Sequence, residues 1–297
     1  MKRVLVTGPS GFIGQHCLRR LITEDCEIHA ANRRGISAAG PRVQWHAADL
    51  RDPASNRALI EAVRPTHVLH LAWEATPRLY NQSPENFKWL CAGIEMATAF
   101  GEIGGTRFVG VGTSAEYQAS LTPCQEDTTP IQPATVYGKT KASFAYALDG
   151  LSQHFKFSSA WARIFLPYGP GDPPQRLMPS VIASLDARRP VETTHGRQLR
   201  DFIYVTDVAD CLVTLLFASE DGAFNVGTGV QTQIRSVIQH LADRCDGSAL
   251  LRFGAINPPA GEAPVLVADM SKVRAKLNWT ASMSITAGLD ALVCTDA

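Results

Sequence analysis

Several things are scarce in this chain of 297 residues, and each scarcity closes off a class of protein. Its seven cysteines are Cys17, Cys26, Cys91, Cys124, Cys211, Cys245 and Cys294, an odd number with no CxxC pair. That usage argues against a disulfide framework or a zinc site, and no metal is expected. Several of them sit in apolar stretches and read as small buried side chains. No apolar run approaches the ~18 residues needed to cross a bilayer. The formal net charge is zero, so the basic face of a nucleic-acid binder is not expected. The amino terminus runs straight into a strand pattern without a signal-peptide layout, which points to the cytoplasm. There is no internal repeat and no low-complexity tract.

What is present is alternation. Val4-Leu5-Val6 is a short, wholly apolar run of the kind that forms a buried parallel strand. Helical spacing of Phe12, Ile13, Cys17, Leu18, Leu21 and Ile22 follows. Strands are predicted at about Glu27–Ala31, Val43–Ala47, Thr66–Ala72, Thr106–Gly112 and Ser158–Phe165. Helices are predicted near Ser55–Arg64, Asn86–Ile103 and from Tyr137 onward. Strand–helix alternation implies an α/β fold, a doubly wound parallel sheet with right-handed crossovers, and ligands beyond the strands' carboxyl ends. After about Leu166 proline and glycine become dense, which marks a smaller second lobe. The predicted division is 1–165 for a dinucleotide-binding domain and 166–297 for a discontinuous substrate lobe. Segments near 201–230 (Phe202–Val205 and Phe224–Val226) are expected to return to the first sheet.

Thr7-Gly8-Pro9-Ser10-Gly11-Phe12-Ile13-Gly14 lies between the first strand and the first helix. Glycines there allow a tight turn and a close approach to a pyrophosphate, while the helix start presents free N–H groups and a positive dipole end. Gly8, Ser10, Gly11, Phe12, Ile13 and Gly14 are therefore the expected phosphate site of a Rossmann-type domain. At the end of the second strand an NAD enzyme carries a carboxylate for the ribose hydroxyls. Here Asn32-Arg33-Arg34 stands instead, and two guanidinium groups suit a 2′-phosphate. NADP(H) is expected rather than NAD(H); the alternative is that both arginines are solvated loop charges.

Tyr137 and Lys141 are four residues apart, so on a helix they face the same way. An ammonium beside a phenol is expected to lower the phenol's pKa from ~10 toward working pH. A hydroxyl, Thr113 or Ser114, ends the strand 24 or 23 residues earlier.

These segments together resemble the extended short-chain dehydrogenases, the NAD-dependent epimerase/dehydratase family. TGPSGFIG resembles that family's TGxxGFIG turn. Asp49-Leu50 is similar to its adenine-contacting pair, and Leu71-Ala72-Trp73 to the His-Leu-Ala-Ala segment under the cofactor, with Trp73 replacing the second alanine. The resemblance implies that Ser114 or Thr113 bonds the substrate oxygen, with Ser114 preferred. It further implies that Tyr137 is the acid/base and that Lys141 holds the nicotinamide ribose. Glu116 is expected near the substrate. Arg163 to Gly171 resembles R-x-F-N-x-Y-G-P-G with Leu166 in place of asparagine, and Arg200-Asp201-Phe202-Ile203-Tyr204-Val205 resembles RDFIYV. In sugar-nucleotide members that arginine meets the pyrophosphate, so Arg200 is the expected substrate contact; the alternative is an ion pair with Asp201 or Asp207. A second such arginine is absent, since Pro259-Ala260 precedes Gly261-Glu262. Phe224-Asn225-Val226-Gly227 and Leu277-Asn278-Trp279 are similar to structural endings of the family.

Chain length and the Ser-Ala-Glu-Tyr segment resemble reductases of nucleotide-activated 4-keto-6-deoxy sugars. The alternatives are an epimerase or 4,6-dehydratase that recycles its cofactor, and a non-catalytic NADP-binding regulator. A homodimer through the helices near Asn86–Ile103 and Tyr137–Asp149 is implied by the same resemblance.

Overall fold

The computed structural model describes residues 1–35, 42–77, 79–259 and 261–293. Ala260 and Cys294, named above, lie outside them. The amino-terminal part alternates as the apolar pattern requires: β1 (Arg3–Thr7), α1 (Phe12–Leu21), β2 (Glu27–Asn32), β3 (Val43–Ala47), α2 (Pro53–Val63), β4 (His67–His70), α3 (Glu85–Glu102), β5 (Arg107–Thr113), α4 (Val136–Phe155) and β6 (Ser158–Ile164). Local signals set the helix ends. Asp52 caps α2 by accepting from Ala54 N, with Pro53 at the first helical position. Thr135 caps α4 by accepting from Gly138 N at 3.0 Å.

The carboxyl-terminal part adds β7 (Leu166–Tyr168), α5 (Leu177–Asp186), β8 (Val191–Thr193), β9 (Leu199–Arg200), β10 (Phe202–Tyr204), α6 (Val205–Phe217), β11 (Gly222–Val226), β12 (Thr232–Gln233), α7 (Ile234–Arg244), β13 (Leu251–Phe253), β14 (Val265–Leu266), α8 (Ser271–Leu277) and α9 (Ile285–Val293).

Seven strands form one sheet in the order β11-β6-β5-β4-β1-β2-β3, every neighbouring pair parallel. The order reverses at β1, whose neighbours are β2 and β4, so the sheet's switch-point crevice opens beyond the carboxyl ends of β1 and β4. Both faces are covered, which is why the central strands are apolar without alternation. Leu21, Val208, Leu212 and Leu216 pack on one face. Ile60, Met96, Phe100, Phe144 and Leu148 pack on the other.

A third core (Tyr168, Met178, Val181, Leu185, Phe202, Tyr204, Val237, Leu241) is built by carboxyl-terminal elements. Of the two segments expected to return to the main sheet, only one does. β11 pairs with β6, whereas β10 pairs with β7 in a separate two-stranded ribbon. The reason is local: β10 runs directly into α6, which already covers the main sheet, so β10 is left outside it. Among the described residues no helix is long and apolar enough to cross a membrane, and no group of three or more His, Cys, Asp or Glu could hold a metal ion.

Candidate active site

The turn after β1 is shaped by atoms that leave no room for side chains. Gly8 has φ +67°, and a Cβ there would lie 2.8 Å from Ala72 N. At Gly14 a Cβ would fall 2.1 Å from Gly8 O, so the helix start sits directly on the turn. Gly11 is the residue before α1 and supplies no side-chain cap, which leaves the first-turn N–H groups of Phe12, Ile13 and Gly14 to a ligand. Ser10 is exposed at the rim. Thr7 ties this turn to the next strand: its hydroxyl accepts from Ala72 N at 3.2 Å and bonds His70 Nδ1 at 2.9 Å. Leu71 N in turn donates to Thr7 O at 3.3 Å. A cradle of bare backbone at a helix start, in the sheet's crevice, fits the diphosphate of a dinucleotide.

At the end of β2, Asn32 Oδ1 accepts from Arg34 N and Gly35 N at 2.9 and 2.7 Å, which folds the chain back. Arg33 and Arg34 are exposed there, and neither is in an ion pair among the described residues. Asp49 accepts from Arg51 N and pairs with the Arg51 guanidinium, with Arg33 adding to the field that holds its carboxyl below the ordinary range. Leu50 is buried beside it.

Beyond β5 the site residues converge. Thr113 is the strand's last residue, and Ser114 already begins a short 3-10 turn. Thr113 lies close enough to the Tyr137 phenol to favour its ionised form, and the Tyr80 ring packs edge-on against Tyr137 with centroids 4.8 Å apart. Of the two candidate hydroxyls, Thr113 is thus the one beside the Tyr137 phenol. The Thr113 hydroxyl also caps the 3-10 turn by accepting from Ala115 N at 3.2 Å, whereas Ser114 is buried in that turn.

The expected lowering of the phenol's pKa is also overturned. Burial pushes it up, the Tyr80 phenol adds to this through its charge, and Thr113 offsets only part. Lys141 lies under the same crevice, its ammonium bonded to Val111 O at 2.7 Å and 6.0 Å from the Tyr137 ring centroid. Burial draws the Lys141 ammonium down to about 7, with Glu116 pulling the other way.

Glu116 is not a substrate contact. It is wholly buried, and its carboxylate is used up by Thr113 N at 2.8 Å, Trp161 Nε1 at 3.0 Å and Arg163 Nε at 2.9 Å. It fixes the backbone of Thr113 from behind. Arg200 is corrected as well. Its guanidinium bonds Leu199 O, Ala263 O and Glu262, so its ion-pair partner is neither Asp201 nor Asp207. Asp201 instead binds Thr228 N, Gly229 N and Ala268 N, and Asp207 caps Ser282 and Met283. Among the segments assigned to structure, Asn225 joins Tyr117, Cys124 and Asp269, and Trp279 bonds Asp210.

Two residues near Tyr137 escaped the sequence reading. Tyr80 had no marker beyond being aromatic. Arg176 directly follows the proline-rich stretch. It lies within electrostatic reach of Tyr137 and pairs with Asp172 at 3.3 Å, and its guanidinium lies 6.0 Å from the Phe12 ring centroid. Burial pushes the Asp172 carboxyl up to about 6.

Residues 4–227 match the NAD dependent epimerase/dehydratase family. The protein belongs to that family. Members with related sequences include the mouse dTDP-D-glucose 4,6-dehydratase, 26% identical over 81% of this chain and 72% of that protein. Another is the dTDP-6-deoxy-L-talose 4-dehydrogenase (NAD(P)(+)) of Kitasatospora kifunensis, 28% identical over 94% and 90%. In structure, the chain superposes on the Thermus thermophilus UDP-glucose 4-epimerase in complex with NAD with a TM-score of 0.84 and 25% identity, covering 99% and 100% of the two chains. The protein is thus an extended short-chain dehydrogenase-type enzyme, of a family that uses a nicotinamide cofactor.

Proposed function

We propose that the protein reduces the keto group of a nucleotide-activated 4-keto-6-deoxy sugar with NADPH. The observation that carries this reading is the convergence beyond β5 of Thr113, Tyr137 and Lys141, with the Lys141 ammonium 6.0 Å from the Tyr137 ring centroid. When bound, the nicotinamide supplies the hydride that turns a keto carbon into a carbinol carbon. Thr113 holds the keto oxygen. Tyr137 gives its proton to that oxygen as negative charge develops there. The phenolate left behind is stabilised by Lys141, which also holds the nicotinamide ribose. Gly8, Gly11, Phe12, Ile13 and Gly14 bind the diphosphate, and Leu71, Ala72 and Asp49 line the remaining cofactor crevice. Arg33 and Arg34 receive the 2′-phosphate of NADPH. Arg176, at the rim near Tyr137, takes the substrate's phosphates in place of Arg200.

Two points favour reduction over dehydration. Elimination needs an acid and a base beyond Tyr137; Ala115 has neither, and Glu116 is sealed against Arg163. The Kitasatospora relative is named for oxidising a 6-deoxy sugar at position 4, and 4-keto reduction is that reaction in reverse.

The test is incubation of the protein with NADPH or NADH and a panel of nucleotide-linked 4-keto-6-deoxy sugars, with absorbance at the reduced nicotinamide followed over time. Stoichiometric NADPH loss with tighter NADPH than NADH binding is expected. Product without net NADPH loss would replace this reading with an epimerase, and tighter NADH binding would remove the role of Arg33 and Arg34. We also place a homodimer contact on α3 and α4, where Phe87, Cys91 and Tyr146 are exposed. Sedimentation of the same preparation as a monomer at micromolar concentration would dismiss it.

A further inference from the structure

Lys141 is 3% exposed, yet its ammonium has a single hydrogen-bond acceptor, Val111 O. A buried ammonium with one acceptor is costly to keep charged. The charged or titratable groups around it do little to help. From β4 comes His70, which burial and Lys141 itself hold neutral, down to about 3. From the turn after β5 comes Glu116, whose charge is already matched by Arg163 on β6. From α4 comes Tyr137, with its phenol protonated. What remains is Trp73, whose ring lies 3.9 Å from Lys141 Nζ by its centroid. That is close for a cation over an aromatic face, and in a desolvated place such a contact is strong.

The indole is not free to turn. Its Nε1 donates to Asn86 Oδ1 at 2.7 Å, and its ring stacks on Phe144 with centroids 6.4 Å apart. Asn86, buried at the start of α3, is itself held through Nδ2 by Tyr80 O and Ser83 O at 2.6 and 2.9 Å. Tyr80 closes the circuit against Tyr137. The residue that interrupts the His-Leu-Ala-Ala pattern is thus built into the same set of contacts as the acid and the ammonium.

We infer that Trp73 is a positioning residue for Lys141: its indole face, pinned by Asn86, keeps the buried ammonium in place and charged beneath Tyr137. The inference rests on the catalytic reading of Lys141 but is tested without cofactor or sugar.

The chain contains seven lysines, so full-length protein grown on ε-13C-lysine gives seven side-chain signals, and Lys141→Arg identifies the one of interest. Its titration midpoint should fall by about one pH unit in Trp73→Leu and recover most of that in Trp73→Phe, which keeps an aromatic face. Because Trp73→Leu also disturbs the packing on Phe144, a second measurement leaves every side chain's shape almost intact. Wild-type protein whose five tryptophans are replaced by 5-fluorotryptophan has rings that attract a cation less, and the Lys141 midpoint should fall by a few tenths of a unit. An unchanged midpoint in both Trp73→Leu and the fluorinated protein would overturn the inference. A shifted midpoint in a protein that consumes no NADPH would uphold it and reject the reductase reading alone.

Discussion

Two regions carry equally pronounced sequence patterns and use them in opposite ways. At the carboxyl ends of β1, β4 and β5, polar groups are left with few partners inside the chain: the first-turn N–H groups of α1 and the Lys141 ammonium. Around β9 and β10, in contrast, Arg200, Asp201 and Asp207 each satisfy two or more neighbours within the protein. A charged residue in a motif therefore says little about function until its internal partners are counted. Saturated groups hold the fold, and under-satisfied groups in a crevice are available to a ligand.

The largest expected effect sharpens that contrast. Tyr137→Phe removes a hydroxyl from the under-satisfied region. It should reduce kcat about a thousandfold while leaving cofactor affinity and urea stability close to wild type. Steady-state kinetics, cofactor titration and urea unfolding check this, and undiminished turnover would remove Tyr137 from its role. Next comes Glu116, which lies beside the site but is saturated like the second region. Glu116→Ala strands Arg163 in the interior and should cost about 3–5 kcal/mol of stability, read from urea denaturation. A cost below about 1 kcal/mol would break the distinction drawn here.

The smallest effect concerns pH. His70 is buried neutral, with an ordinary value of 6.5 drawn down to about 3. As pH falls from 6.5 toward about 3, the unfolded chain takes up a proton that the fold excludes. Stability is then lost with acid, by about 2–3 kcal/mol per such histidine two units below the ordinary value. Urea midpoints at pH 7 and 4.5 would show it, and His70→Gln should flatten the slope.

The repeating layer was readable because its rule is local. Val4 to Val6, the glycine turn and the helical spacing from Phe12 to Ile22 each announce their own conformation, and β1 and α1 lie where that spacing puts them. Tyr137 and Lys141 were readable for the same reason, being one helical turn apart. Long-range partners were not. That Glu116 would be enclosed by Trp161 and Arg163 depends on β6 lying beside β5, and that Arg200 would meet Glu262 depends on a chain segment 62 residues away. Where the strand stops between Thr113 and Ser114 is likewise something residue types alone do not fix. The phenol's raised pKa reflects burial first and the charge of Tyr80 second, and Tyr80 sits in a short 3-10 turn with no sequence pattern of its own.

The placement of β11 has a consequence for engineering. The chain leaves the main sheet after β6, builds β7 to β10 outside it, returns through α6 and β11, and departs again for α7 and α9. The lobe thus owns no uninterrupted stretch of sequence. A chimera that borrows another protein's lobe through one junction would also exchange the outermost strand of the receiving sheet. Transplanting specificity in this scaffold calls for at least two splice points, one on each side of β11.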